Sequence, residues 1–332
     1  MKLYENKGLK ETRAGFGNAL TFLGKKNKKI VALCADLTNS LFMNQFSKEF
    51  PERFFQIGIA EANMISIAAG LSIGKYIPFA GTFANFATSR VYDQIRQSIA
   101  YSCKNVKICA SHSGLTLGED GATHQSLEDI GMMKMLPGMT VINTCDYNQT
   151  YAATLAIADY SGPVYFRFGR PSVANFTELN QKFEIGKAII LTKGKDITII
   201  STGHLVWESL EAARILYEEE KINCEVINIH TIKPLDEKTI LNSIKKTKCV
   251  VTAEEHNYLG GLGESVARII TTNTNQKKHP VYQSIVAVND TFGESGKPME
   301  LLKKYKIDRK SIINHVKKIL VLKKKNQYIN HK

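Results

Sequence analysis

The sequence predicts an α/β protein of two consecutive domains, the first built on a parallel sheet. Three observations point there. The chain has 332 residues, more than one ordinary domain holds and enough for two. Short β-branched runs alternate with longer helical patterns, as in a parallel sheet covered on both faces. That alternation lapses once, after Pro171, and then restarts.

Residues 30–34 (Ile-Val-Ala-Leu-Cys) read as a buried strand, and residues 57–70, rich in Ala, Ile and Met, as a buried helix. Strands are expected at 106–110, 140–143 and 164–167, with a helix over 147–158 between the last two. The polar stretch 172–187, broken by Gly186 and then Gly194, is the natural boundary. Beyond it the pattern predicts strands at 196–201, 224–229, 249–252 and 284–288, and helices at 206–219, 236–244 and 310–320. The expected division is a first domain over 1–175, a linker over 176–192, a second domain over 193–320 and a basic, fraying tail over 321–332.

Composition narrows the class. An apolar fraction of 43% and a charged fraction of 23% are globular values and exclude disordered and collagenous chains. Six cysteines, at 34, 103, 109, 145, 224 and 249, form no C-x-x-C pair, and most lie in apolar runs. They read as buried thiols in a reducing, cytoplasmic setting. The first residues carry no signal-peptide pattern, and no run of about 18 apolar residues suggests a membrane span. The net charge of +13 invites a nucleic-acid reading, but residues 301–332 hold eleven Lys or Arg against one acid. The charge is a terminal feature, with no nucleic-acid motif beside it.

Chemistry concentrates in a few windows. Residues 111–125 (Ser-His-Ser-Gly-Leu-Thr-Leu-Gly-Glu-Asp-Gly-Ala-Thr-His-Gln) follow a buried strand directly. A loop at the carboxyl end of a parallel strand is where ligands bind. His112, Asp120 and His124 there can supply proton carriers and hydroxyl acceptors, although a polar surface loop with glycine turns would look similar. Glu61 stands in an otherwise apolar stretch. It is either a helix-start acid favoured by the dipole or a buried acid placed to hold and pass a proton. Phe83 and Phe86, three apart, would share a helix face, as core residues or as a platform for a flat heterocycle. Arg167 and Arg170 follow a strand, and Arg13 lies in an early glycine-bearing segment. Arginine suits bidentate phosphate binding, though most arginines are surface charges. Gly260-Gly261-Leu262-Gly263 lacks the spacing of a dinucleotide fingerprint, and no phosphate-loop or nucleophile-elbow motif occurs.

Three of these pieces together resemble the C-terminal half of transketolase, or the separate C-terminal subunit of a split transketolase. They are Ala60-Glu61-Ala62-Asn63-Met64, Gly81-Thr82-Phe83-x-x-Phe86, and Gly118-Glu119-Asp120-Gly121-x-Thr123-His124-Gln125. Glu254-Glu255-His256-x-x-x-Gly260-Gly261-Leu262-Gly263 is similar to the C-terminal domain of the same superfamily. The similarity runs from about Arg13 to about Pro298. It implies a pyrimidine-binding domain followed by a transketolase C-terminal domain.

The resemblance also assigns roles. Glu61 matches the glutamate that hydrogen-bonds the aminopyrimidine of thiamine diphosphate and promotes its reactive tautomer. Phe83 and Phe86 match the apolar pocket for that ring, and Asp36 a residue near the cofactor at the subunit interface. A further aromatic is usual three residues after Phe86, and Ser89 stands there instead. Arg13, Ser40, His112 and Arg170 match the set that holds the sugar phosphate. Asp120 matches a contact to the donor's hydroxyl, and His124 a residue near the reacting carbons. Ser113 departs from the Asp usual beside the first histidine. The diphosphate and Mg²⁺ site of these enzymes, a Gly-Asp-Gly followed by Asn, is expected on an N-terminal partner subunit, in an α2β2 assembly. Glu119-Asp120-Gly121 is only a superficial lookalike. The alternatives are a 1-deoxyxylulose-5-phosphate synthase-like chain, a 2-oxo acid dehydrogenase beta-type subunit, or a homologue without catalysis.

Overall fold

A computed structural model describes residues 4–275 and 280–329, with side chains to residue 325. In chain order its strands are β1 (Leu9–Glu11), β2 (Ile30–Cys34), β3 (Phe54–Gln56), β4 (Ile77–Phe83), β5 (Lys107–Ser111), β6 (Thr140–Asn143), β7 (Val164–Arg167) and β8 (Ser172–Ala174). They continue with β9 (Ile189–Thr192), β10 (Ile197–Ser201), β11 (Cys224–Asn228), β12 (Thr231–Lys233), β13 (Cys249–Asn257) and β14 (Tyr282–Val288). Two α/β domains with mostly parallel sheets result.

The first sheet has the order β12-β6-β7-β5-β4-β2-β3 and is parallel except at β12. β2, β5, β6 and β7 are buried at every position, as strands covered on both faces must be. The second sheet, β14-β13-β10-β11-β9, is parallel except where β9 pairs with β11.

Three features differ from the sequence expectation. Ile189–Thr192 already belongs to the second sheet, so the connector is shorter than 176–192. The basic end does not fray at 321, because helix Arg309–Ile329 continues through it. Its apolar side (Ile312, Val316, Ile319) is buried in the second core, which anchors the helix; residues 330–332 lie outside the described residues. Finally, β12 comes from the second half of the chain yet pairs antiparallel with β6, placing Thr231 opposite Ile142. The hydrophobic core follows that exchange. One buried cluster includes Ala80, Ile108 and Val141 together with Ile200, Ile232 and Val250.

Among the described residues no helix is long and apolar enough to cross a membrane. Five of the six cysteines are buried and unpaired, as their apolar contexts predict, and Cys103 is exposed.

Candidate functional site

In the first sheet, five neighbouring parallel strands deliver candidate residues to the same edge. β2 ends before Asp36 and Ser40, β3 before Glu61, β4 at Phe83, β5 before His112, and β7 before Arg170. The carboxyl edge of a parallel sheet collects ligand-binding loops because each crossover begins there.

Glu61 is the first residue of helix Glu61–Ile73 and is 4% exposed. Both its carboxylate oxygens lie 3.4 Å from Arg90 Nη1. Arg90 also covers Phe86, its guanidinium carbon 4.1 Å from the ring centre. Phe83 and Phe86 stack at 5.8 Å and 19°, and Phe83 stacks on His112 at 3.8 Å and 21°. His124 stands edge-on to both phenylalanines, and its Nδ1 pairs with Thr123 Oγ1 at 2.8 Å. Asn85 Nδ2 donates to the Thr123 carbonyl at 2.7 Å, tying the turn after β4 to the loop after β5. The two phenylalanines do not share a helix face. Phe83 ends a strand and Phe86 lies in the turn that follows.

His112 is buried, left-handed (φ 56°), and paired through Nδ1 with Ser111 Oγ at 2.8 Å. Burial, then Arg13, Arg170 and His124, push its pKa down to about 3. It is therefore a neutral imidazole at pH 7, and an anion placed between the two arginines would raise that value. Arg13 Nη1 donates to the Ser40 carbonyl at 3.0 Å and Nη2 to Glu11 at 2.6 Å, while its buried Nε has no partner among the described residues. Ser40 thus meets Arg13 through its backbone. Gly17 lets its helix come close to Phe42, since a Cβ there would collide with the Phe42 carbonyl. Arg170 Nη1 donates to the Leu117 carbonyl at 2.8 Å and to Glu119 at 2.7 Å. Asp36 and Asp120 are exposed on the same edge, and no hydrogen bond or ion pair among the described residues links them to the cluster. No group of three or more His, Cys, Asp or Glu that could hold a metal occurs among the described residues.

The second domain braces this edge from behind. Glu255 accepts the Thr116 amide, and burial pushes its carboxyl pKa up. Arg167 bonds Asp129 at 2.7 Å and the Glu255 carbonyl at 2.9 Å. His204 packs on Gly169, with Nδ1 3.4 Å from Thr116 Oγ1. Glu254 caps helix Leu262–Asn273 through the Leu262 and Gly263 amides at 2.6 and 2.8 Å. The Glu254-Glu255-His256 run is thus a buried joint between domains. Sequence reasoning missed Arg90, Asp129 and His204, whose partners lie 29, 38 and 88 residues away. Asp129 follows Glu128 directly, so nothing local in the sequence marks which of the two acids is buried.

Comparison with known proteins gives concordant matches. Residues 10–175 match the pyrimidine-binding domain of transketolase, and residues 186–312 the transketolase C-terminal domain. A protein of Methanocaldococcus jannaschii described as a transketolase C-terminal section is 46% identical over 92% of this chain and 95% of its own length. A 6-deoxy-6-sulfo-D-fructose transketolase subunit of Clostridium sp. is 42% identical over 87% of this chain and 88% of its own. A solved split-gene transketolase, described as an inactive beta4 tetramer, superposes with a TM-score of 0.87 at 43% identity, over 94% of this chain and 99% of that one.

Proposed function

The chain belongs to the transketolase family, and on that premise we propose that it is the C-terminal subunit of a thiamine diphosphate-dependent transketolase. It would move a two-carbon ketol unit from a ketose phosphate to an aldose acceptor. The observation that carries this is the convergence of Glu61, Phe83, Phe86, His112 and His124 on one sheet edge, with Arg13 and Arg170 flanking.

The family is thiamine diphosphate-dependent, and the residues present fit the pyrimidine end of that cofactor. The Phe83–Phe86 stack offers a flat apolar face, and beside it lies a buried carboxylate whose partner among the described residues is a half-exposed arginine at 3.4 Å. When bound, thiamine diphosphate supplies the carbanion chemistry of ketol transfer. Glu61 holds and passes a proton at its carboxylate oxygens, in a site that excludes water from them. Asp36 lies near the cofactor's edge at the subunit interface. Arg13 and Arg170 bind the sugar phosphate, helped by His112 and Ser40; Asp120 takes a donor hydroxyl, and His124 lies near the reacting carbons. The neutral His112 shares a hydrogen with phosphate rather than adding a resident charge.

The diphosphate and Mg²⁺ fall to an N-terminal partner subunit, in an α2β2 assembly in the cytoplasm. The inactive tetramer reported for the split-gene neighbour supports that division. A relative described as a 6-deoxy-6-sulfo-D-fructose transketolase subunit widens the set of ketoses to assay.

The test is Glu61→Gln in the chain mixed with an N-terminal subunit, thiamine diphosphate and Mg²⁺. A drop of at least ~100-fold in ketol transfer with unchanged folding is expected for a lost acid–base group. Near-normal turnover would sink the assignment, and full wild-type activity without the partner would overturn the division of the site.

A further inference from the structure

Among the described residues Arg90 meets Glu61 and Phe86, the two groups that the proposed reading reserves for the cofactor's ring. Its guanidinium lies 4.1 Å above Phe86 and within 3.4 Å of both Glu61 oxygens. A guanidinium and an aminopyrimidine are alike in what matters here: both are planar, both stack on an aromatic face, and both present N–H groups to a carboxylate. The side chain is half exposed (50%), whereas Glu61 is 4% exposed, so Arg90 reaches inward from a position with room to retreat. It follows Ser89 in the short helical turn Ser89–Val91 after β4.

We propose that Arg90 is a placeholder for the aminopyrimidine. Guanidinium and ring take turns on Phe86 and Glu61, and Arg90 swings aside when the cofactor enters. This rests on the proposed pyrimidine site and adds a residue that works against binding rather than for it. The placeholder has a physical use. Glu61 is buried beside a stack of four flat groups, Arg90, Phe86, Phe83 and His112. An unpaired carboxylate there would be costly, and a displaceable partner removes that cost until the ring arrives.

The experiment uses the full chain and the pyrimidine fragment alone, 4-amino-5-hydroxymethyl-2-methylpyrimidine, followed by ligand-observed saturation-transfer NMR. It needs neither metal, partner nor turnover. Arg90→Met should bind the fragment about three- to tenfold more tightly than wild type, because a half-exposed ion pair and a cation–π contact no longer have to be broken. Glu61→Gln placed on top of Arg90→Met should weaken it again. Fragment binding to wild type that is unchanged or weakened by Arg90→Met would overturn the placeholder and leave the pyrimidine site standing, with Arg90 as a fixed wall. Absence of binding to wild type, Arg90→Met and Arg90→Lys alike would overturn the pyrimidine site itself, and the placeholder with it.

Discussion

Arg167 and Arg170 leave the end of β7 three residues apart, yet only one of them is free to change partners. Arg167 is 2% exposed and pinned from three sides, by Asp129, the Glu255 carbonyl and, at 3.4 Å, Asn143. Asp129 in turn accepts the Tyr165 hydroxyl at 2.7 Å. Arg170 is half-buried, and its charge partner, Glu119, is an exposed loop acid. A buried ion pair, carried across to the second domain by the Glu255 carbonyl, serves as a staple between domains. A rim arginine whose counter-ion sits in solvent can exchange it for a ligand's anion at little cost. The same residue type at nearly the same place therefore divides into a joint and a binding group, according to depth alone.

The comparison can be broken by experiment. Arg167→Met leaves Asp129 buried without its cation and should cost about 3–5 kcal/mol of stability in denaturant titration. A loss under about 1 kcal/mol would make the two arginines equivalent. Acid should find the same region. His204 and His230 are pushed by burial to about 4, and His112 to about 3, from an ordinary 6.5. Because the unfolded chain takes up these protons first, stability is fully present above pH 6.5 and declines as pH falls toward 4. Each histidine adds a slope of about 1.4 kcal/mol per pH unit. Melting temperatures that stay flat from pH 7 to 5 would mean these rings are not held neutral.

At the rim the expected changes are functional. Arg170→Ala should leave folding intact and weaken a phosphorylated ketose by about 1.5–3 kcal/mol, roughly ten- to a hundredfold in KM, if chemistry is slower than substrate release. Equal harm to an unphosphorylated ketose would mark Arg170 as structural. The smallest effect is Glu119→Gln. Freeing Arg170 of a competing anion should lower KM for the phosphorylated sugar by about two- to fivefold and leave the melting temperature unchanged. A raised KM would mean that Glu119 positions the arginine instead.

Depth also explains what could be read from the sequence. Buried strands such as Ile30–Cys34 and Val164–Arg167 announce themselves, because burial on both faces demands an apolar run. Helix Tyr147–Asp159 is legible in the same way, with Asp146 accepting the Gln149 amide at its start. The site's residue types were legible as a dense polar loop and a lone acid, Glu61. What resisted were positions where tertiary contacts override local pattern. Ile77–Phe83 carries Pro78 and Gly81, poor strand formers, yet it is an inner strand in which Gly81 yields space to Leu41 and Met43. Glu254-Glu255-His256 looks like a surface run but is the buried end of β13, because an amide or a helix start waits for each acid. Arg90 gave no signal at all, since its two partners are set by the turn after β4 rather than by spacing.

The crossing of β12 into the first sheet bears on how such a gene can be divided. A break between residues 175 and 186, where the two matched domains meet, would strip Thr231 from Ile142 and lay open the edge of a seven-stranded sheet. It would also part Arg167 from the Glu255 carbonyl and expose parts of the buried cluster that Ile108 and Ile232 share. Either fragment would present sticky strand edges and bare apolar surface to its neighbours in a crowded cell. The contacts across this seam therefore favour keeping the two domains on one chain.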